Sequence, residues 1–516
     1  MKINFSLIKN FGSLLLQQVS IYLISLLTFG IISRLLSPIE MGVYGLLVSV
    51  LYLIGLSANF GLKKVAIRLI AGYKAMNDDR YISVFWLSLA ISTPMMFLIA
   101  FLTAEGLNVF GVFKTVNLNS LGFYLFLLLL FLFSFRNLIS CGLEALQLFH
   151  IETIYVSGSF ILYRFLMIYL LIKGFGILGV LIAWIIGESV AITLILKDVI
   201  PKFKPLRLKG ENPGSMIEAS IPIFISDLIL LGVEYGDRIV SVIFGYSVLA
   251  FFYVAATGIS FLMSVYQAIH GSMLPHLSEE FHKNGYDALS DRIKSISRYI
   301  FIFISPIFIV AAALAEPTID LLVGPMYLEA TPIFQIMCVG LWITSINPLL
   351  QSALIAANRT RTLMVIMLIS ILIDLAIMIF TYRYIGIIAT GLGRFSLMIS
   401  SYVLLLLYAF KEMHIDIDIE ALVKSTISGF ITGIIVWRLW LIAPDISLYP
   451  LYLLISVIIY LSLHRVLRTV NTDEIVSLYI SLPNRERLKP LIKIICILSG
   501  VNYTTVMRKI SEIKVI

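Results

Sequence analysis

Long runs of apolar residues, separated by short polar segments, extend along most of the chain. A helix needs about 20 apolar residues to cross the hydrocarbon core of a bilayer, and only helices or closed barrels satisfy their backbone there. Because the runs are long and continuous, they predict helices. We expect fourteen membrane spans, at 11–33, 42–62, 82–104, 118–139, 151–172, 176–196, 217–243, 248–270, 299–323, 333–356, 363–382, 385–410, 422–443 and 448–467.

The hydrophobic pattern repeats after about 210 residues, as in transporters built from two homologous bundles. Segment 34–44 occupies the same place in the pattern as segment 244–253, and segment 176–183 matches segment 386–393. Each unit holds six spans, so both units share one orientation and the predicted two-fold axis lies along the membrane normal. The predicted parts are an N-terminal bundle, a cytoplasmic linker, a C-terminal bundle, two further helices and a cytoplasmic tail, at 1–197, 198–216, 217–410, 411–468 and 469–516.

Composition supports the membrane assignment. The 516 residues are 60% hydrophobic and 13% charged, with a mean hydropathy of +1.00. Soluble domains carry about 25% charged residues, so the chain is expected to be an all-α polytopic membrane protein. The first span is too long for a signal peptide and lacks a small-residue cleavage site. Three widely spaced cysteines, Cys141, Cys338 and Cys496, predict buried thiols rather than disulfides or a metal site.

Basic residues concentrate in alternate loops. Most Lys and Arg fall on the side that carries both termini, and the positive-inside rule makes that side cytoplasmic. The net charge of +8 then faces anionic membrane lipids, which are the expected partners, and no nucleic acid is needed to explain it. The basic, amphipathic tail at 469–516 predicts a helix on the inner leaflet, with docking to a protein partner as the alternative.

The sequence offers no sign of an enzyme. No Walker motif or metal-ligand spacing is present, so no catalytic residue, metal or ATPase domain is predicted. The longest outer loop, at 105–117, has room for little more than a short helix. That weighs against a membrane glycosyltransferase or polymerase, which needs a substantial extracytoplasmic domain.

Span 7 carries the highest density of charges at membrane depth. Asp227, Glu234, Asp237 and Arg238 fall on one broad face of a helix with 3.6 residues per turn. Charged side chains are costly in lipid and usually mark a functional site or a partner. We therefore expect this face to line the space between the bundles.

Three further charges occupy related positions in the two repeats. Arg164 in span 5 and Asp374 in span 11 are almost equivalent, and Arg394 in span 12 takes the place of Trp184. Guanidinium groups suit phosphate geometry, and buried carboxylates can carry protons or sodium ions. The predicted anion-binding residues are Arg164, Arg238, Arg394 and Arg34, and the predicted ion-coupling residues are Asp374, Asp227, Glu234 and Asp237. The alternative is that these charges, with Glu188, form static pairs that hold helices together.

Several short motifs, taken together, resemble the motifs of a known family. The segment Arg34-Leu-Leu-Ser-Pro-Ile-Glu-Met-Gly-Val-Tyr44 resembles the signature of polysaccharide transporters in the multidrug/oligosaccharidyl-lipid/polysaccharide flippase superfamily. Pro222, the run from Asp237 to Gly245 and the aromatic run ending at Tyr253 fit the start of that family's second bundle. Ala250 and Phe251 replace an expected Gly-Tyr pair, so the second copy is degraded. The resemblance extends over residues 5–468.

The resemblance implies a bacterial inner-membrane flippase. Its cargo would be an undecaprenyl-pyrophosphate-linked oligosaccharide, moved to the outer leaflet for O-antigen, capsule or exopolysaccharide synthesis. It also implies alternating access coupled to H⁺ or Na⁺, no bound cofactor, and a polysaccharide polymerase and chain-length regulator as protein partners. Two alternatives share the fold. A multidrug or toxin cation antiporter usually has twelve spans and favours acids over Arg, whereas a lipid II flippase shares fourteen spans and a cationic cavity.

Overall fold

The computed structural model describes residues 24–205, 210–467, 469, 472, 476, 492, 493, 496 and 500–515, with side chains described outside 265–276 and 511–515. Helices form all the regular structure in these residues, and no strand occurs among them. Within this described part, 13 helical segments are long and apolar enough to cross a membrane. The all-α polytopic prediction is thus confirmed. The first predicted span, 11–33, lies mostly outside the described residues, which include only its end in the helix Ile24–Leu35.

Two compact units divide the described chain. The first holds the residues up to Val254 together with Leu322–Met326, and the second holds Ala255–Leu321 and the residues from Tyr327 onward. The predicted linker at 198–216 therefore falls inside the first unit. The five-part division and the repeat symmetry stay predictions.

The helices of the first unit run in close succession. They are α1 (Ile24–Leu35), α2 (Pro38–Ser57), α3 (Leu62–Ala75), α4 (Arg80–Val109), α5 (Val112–Thr115), α6 (Asn119–Ile139), α7 (Cys141–Ala145), α8 (Phe149–Ile172), α9 (Gly176–Lys202), α10 (Pro213–Val240) and the start of α11 (Tyr246–Tyr299). Helix α2 is apolar on all sides and buried along most of its length, so it forms the core of this unit. A turn of 3-10 helix, Ser241–Phe244, separates α10 from α11.

The second unit continues α11 and adds shorter helices. They are α12 (Ser305–Ala313), α13 (Ala315–Val323, whose last two residues belong to the first unit), α14 (Thr331–Ile343), α15 (Asn347–Ala356), α16 (Thr360–Ile385), α17 (Ile388–Glu412), α18 (Ile419–Ile442), α19 (Tyr449–Val466) and α20 (Tyr503–Val515). The predicted span 333–356 is divided between α14 and α15. Pro348 lies in the first turn of α15, where its missing amide is tolerated, but it could not continue α14.

The described part of the tail packs on the second unit. Val476, Ile492, Cys496 and Val506 form one buried cluster with Ile302, which lies in a turn of π-helix at Ile300–Ile304. These apolar side chains therefore face protein. Most of the basic residues that predicted an interfacial helix, at 485–489, lie outside the described residues. The three cysteines are free and buried, as predicted.

Candidate functional site

The segment 34–44 builds the beginning of α2. Ser37 caps the helix and Pro38 occupies its first turn. The Ser37 amide donates to Glu40 Oε2 at 2.9 Å, and the Glu40 amide donates to Ser37 Oγ at 3.4 Å. This reciprocal capping box satisfies amides that the helix itself leaves without acceptors. The Ser-Pro-x-Glu part of the segment therefore fixes where α2 begins.

Two glycines on α2 allow close packing against α11. A Cβ atom at Gly42 would collide with the carbonyl oxygen of Tyr246. A Cβ atom at Gly45 would lie 2.8 Å from Cγ of Tyr253. Residues three apart lie on the same helix face, so the two glycines form one seam. The seam brings Tyr253 against the core of the first unit.

The buried hydroxyl of Tyr44 meets a guanidinium group. Arg164 on α8 donates from Nη1 to Tyr44 Oη at 3.2 Å. Its guanidinium carbon lies 5.1 Å from the ring centroid of Phe160 and 5.8 Å from that of Tyr163. Arg164 forms no salt bridge with any described residue, and its buried Nε has no hydrogen-bond acceptor among them. Aromatic faces and a hydroxyl, rather than a carboxylate, thus surround this cation.

Arg238 joins the same cluster from α10. Its guanidinium carbon lies 5.3 Å from the ring centroid of Tyr235 and 5.8 Å from that of Tyr253. Tyr253 packs edge-on against Tyr44, with centroids 5.9 Å apart. Arg164 and Arg238 therefore bracket a pair of tyrosines. The Arg238 amide donates to the buried carboxylate of Asp237 at 2.7 Å, so an acid lies directly beside this second arginine.

Asp227, the first predicted acid of α10, lies outside this cluster. Asp227 Oδ1 is 2.5 Å from Nζ of Lys64 on α3. It precedes Arg238 by 11 residues, or about 16 Å along a helix, so it does not share the arginine site. Glu234 is exposed. Arg34 is exposed at the end of α1, where its Cγ approaches Gly324.

Two acids at membrane depth are held by basic partners within the first unit. Glu188 on α9 is only 5% exposed and lies 2.5 Å from Nε of Arg136. Glu144 on α7 lies 2.6 Å from Nζ of Lys63, and Ser140 also donates to it. Such pairs fix neighbouring helices relative to one another.

The remaining predicted residues belong to the second unit. Asp374 is fully buried on α16, facing α17. A Cβ atom at Gly393 would lie only 2.5 Å from Asp374 Oδ1, so this glycine makes room for the carboxylate. Arg394 follows directly on α17 and is half-buried.

The tyrosines of the first unit are the functional candidates that charge alone did not identify. Tyr44 and Tyr253 end the two segments that the repeat aligns. The repeat could therefore have pointed to them. Tyr52 and Tyr163, which also interact electrostatically with Arg164, have no comparable signal in the sequence.

Solved structures share this fold. The chain superposes on "Lipid II flippase MurJ, inward closed conformation" with a TM-score of 0.72, at 15% identity over 87% of this chain and 97% of that one. For an inward-facing multidrug resistance MATE family transporter of the MOP superfamily, the TM-score is 0.61, at 16% identity over 76% and 97%. For a mutant of the Vibrio cholerae MATE transporter VcmN, it is 0.51, at 15% identity over 78% and 97%.

Sequence comparisons identify the family. A search of curated proteins finds no match. The family described as polysaccharide biosynthesis protein matches residues 7–281, which is more than half of the chain and includes Tyr44, Arg164 and Arg238. Together with the fold and the many apolar helices, this match makes the chain a multi-pass membrane protein of the MurJ and MATE architecture. The chain belongs to the polysaccharide biosynthesis protein family.

Proposed function

We propose that this chain is a flippase for a lipid-linked oligosaccharide, carried on undecaprenyl pyrophosphate across the bacterial inner membrane. The family supports a saccharide cargo, and the fold supports transport. The pyrophosphate is the part of such a cargo that an arginine can recognise in every repeat unit, whatever the sugars are. The polymer would be an O-antigen, a capsule or an exopolysaccharide.

One observation carries the proposal. Arg164 is held among aromatic rings with no carboxylate partner in the described part of the chain. A desolvated charge is costly unless a counter-ion approaches it, so the site favours an anion. The planar guanidinium fork matches phosphate oxygens in two parallel hydrogen bonds.

Arg238 plays a lesser part in this proposal. Its neighbour Asp237 offsets its charge locally, so the pair adds little net attraction for an anion. It would instead position Tyr253 beside the site. Arg394 and Arg34 remain predicted anion-binding residues, and coupling to H⁺ or Na⁺ through the acids remains a prediction too. The same holds for cytoplasmic termini and for a polymerase and a chain-length regulator as partners.

Arg164→Ala and Arg164→Lys test the proposal in a strain whose surface polysaccharide depends on this protein. We expect Arg164→Ala to abolish surface polymer while the protein still inserts in the membrane. Lysine keeps the positive charge but lacks the planar guanidinium fork, so Arg164→Lys should retain only part of the wild-type surface polymer. The matched control is Arg438→Ala, which removes an exposed arginine of α18 stacked on Trp437. Wild-type polymer from Arg164→Ala would refute the assignment.

A lipid II flippase is the second candidate, because the MurJ structure superposes with a TM-score of 0.72. Complementation distinguishes a lipid II flippase from an oligosaccharide flippase, because the two would restore different defects. A lipid II flippase would restore growth when the resident lipid II flippase is depleted, whereas an oligosaccharide flippase would restore only surface polymer. A cation antiporter fits less well, since Arg164 would repel a cationic cargo.

A further inference from the structure

Two tyrosines beside Arg164 carry hydroxyl groups that the fold does not use. The Arg164 guanidinium carbon lies 5.8 Å from the ring centroid of Tyr163 on α8. Tyr52 lies about two turns after Tyr44 on α2 and interacts electrostatically with the same guanidinium. Neither hydroxyl forms a hydrogen bond with a described residue, and neither oxygen is among the fully buried polar atoms. In contrast, the Tyr44 hydroxyl accepts from Arg164, and that of Tyr155, elsewhere on α8, donates to Asp198 at 2.6 Å.

The rings of these two tyrosines are fixed by their neighbours. Tyr52 stacks on Tyr235 with a centroid distance of 5.5 Å and an interplanar angle of 9°, and Phe133 meets it edge-on at 5.4 Å. Tyr163 stacks on Trp184 at 5.5 Å and 15°. Aromatic packing of this kind does not need the hydroxyl. The two O–H donors are thus held in place by rings that would pack equally well as phenylalanine.

We propose that Tyr52 and Tyr163 donate hydrogen bonds to the phosphate oxygens of the anion bound by Arg164 and so determine its selectivity for phosphate. This inference rests on the proposed function and deepens it. A guanidinium fork alone accepts a planar carboxylate as readily as a phosphate. Phenol donors from α2 and α8 would add hydrogen bonds to those of the fork. A phosphate still has oxygens that the fork does not use, whereas both oxygens of a carboxylate are already engaged by the fork.

The geometry also assigns a role to Tyr44. Its hydroxyl oxygen accepts from Arg164 Nη1, so its own proton points away from the guanidinium. The contact fixes the orientation of the fork, which makes Tyr44 a positioning residue. Its loss should misorient Arg164 without removing the positive charge.

Ligand-dependent thermal stabilisation of the full-length protein in detergent tests the proposal. The probes are sodium pyrophosphate, undecaprenyl pyrophosphate, sodium acetate and phosphatidylglycerol. A hydrogen bond to a charged group contributes enough that losing one should weaken pyrophosphate binding about tenfold. We expect that loss in Tyr52→Phe and in Tyr163→Phe, and a larger one in the double variant. Tyr155→Phe, a control on the same helix, should bind as the wild type does.

Selectivity separates this role from a structural one. The double variant should bind acetate as weakly as the wild type does, so that the preference for pyrophosphate falls. Equal loss for both anions, or wild-type pyrophosphate affinity, would overturn the inference. Phosphatidylglycerol that competes with pyrophosphate on equal terms would overturn it as well, since the site would then take bulk lipid headgroups.

Arg164→Ala distinguishes a failure of the proposed function from a failure of the inference about the two tyrosines. If Arg164→Ala abolishes pyrophosphate binding and the tyrosine variants do not change it, the proposed function stands and this inference fails. If Arg164→Ala binds pyrophosphate as well as the wild type does, the proposed function fails first. A variant that does not fold is recognised by its low unfolding temperature without ligand. In that case, pyrophosphate binding by the other single Tyr→Phe variant tests the inference.

Discussion

Tyr44 and Tyr253 pack edge to face with their ring centroids 5.9 Å apart, although they end two segments that the sequence predicts to be copies of one repeat. Both rings lie in the first compact unit. Their contact depends on the glycine seam of α2, because a side chain at Gly45 would displace Tyr253. The seam that packs the helices thus also positions the aromatic wall of the candidate site.

Gly42→Ala should destabilise the protein strongly. The added methyl group would collide with the Tyr246 carbonyl oxygen, which is backbone and cannot rotate away. Overpacking of this kind costs about 1–3 kcal/mol or more. The fraction of monodisperse protein that survives a heating series in detergent measures the effect.

Gly106→Ala is the matched control for that substitution. Gly106 also lies inside an apolar helix, α4, but nothing lies within 4 Å of a Cβ atom there. Alanine is the better helix former by about 1 kcal/mol, so the control should equal or exceed wild-type stability. Similar losses in both variants would show that the close approach to Tyr246 is not the cause.

Glu188→Gln should destabilise the first unit because it leaves the Arg136 guanidinium largely buried without its carboxylate. Breaking a buried pair from one side costs about 3–5 kcal/mol. The double variant Arg136→Met/Glu188→Leu removes both charges and should recover much of that loss. A double-mutant cycle of thermal stability measures the coupling, and additive losses would contradict it.

Asp374→Asn tests the coupling role predicted for this acid. The amide nearly preserves the shape that Gly393 accommodates but cannot bind or release a proton. If Asp374 carries the coupled ion, cargo flipping in proteoliposomes should lose its dependence on the H⁺ or Na⁺ gradient. Asp445→Asn, in an exposed loop, should keep that dependence. An unchanged gradient dependence in Asp374→Asn would remove Asp374 from the coupling site.

Acid should weaken the second unit through Asp418. Burial raises the pKa of this carboxyl, but the Ala421 amide and the Arg298 guanidinium outweigh burial and leave its pKa lowered. A carboxyl with a lowered folded-state pKa stabilises the protein above its unfolded pKa of about 3.9, and this contribution is lost as the pH falls through the folded value.

The thermal midpoint between about pH 6 and pH 3 measures this contribution. At about pH 6, Asp418→Asn should have a lower thermal midpoint than the wild type. The difference between the two midpoints should narrow as the pH falls toward about 3. The amide still caps α18, so helix initiation is preserved. A difference that does not change with pH would contradict the role of ionised Asp418.

The spans were predictable because bilayer thickness imposes a length on every apolar run. The break between α14 and α15 was missed, although the polar Thr344 and Ser345 and the Asn347-Pro348 pair mark it in the sequence. Span counting needs only local sequence. Where a helix stops inside an apolar run depends on helix-breaking residues such as Pro348, which a count of apolar residues passes over.

The residues of the candidate site were likewise predictable only in part. Charge at membrane depth identified Arg164 and Arg238, because such residues are rare in any span. It could not separate them from Asp227, whose partner Lys64 lies far away in the sequence. Nor could it find Tyr52, since a tyrosine in a span is ordinary until tertiary packing places it beside a guanidinium.

The burial of Cys141, Cys338 and Cys496 has a practical consequence for labelling. With no exposed thiol among them, the natural chain already serves as a silent background for maleimide reagents applied to intact cells. A cysteine at Met76, which is 68% exposed, and another at the exposed Lys114 would then react from opposite sides of the membrane. Reaction of Lys114→Cys alone with an impermeant reagent would assign the orientation of the whole chain.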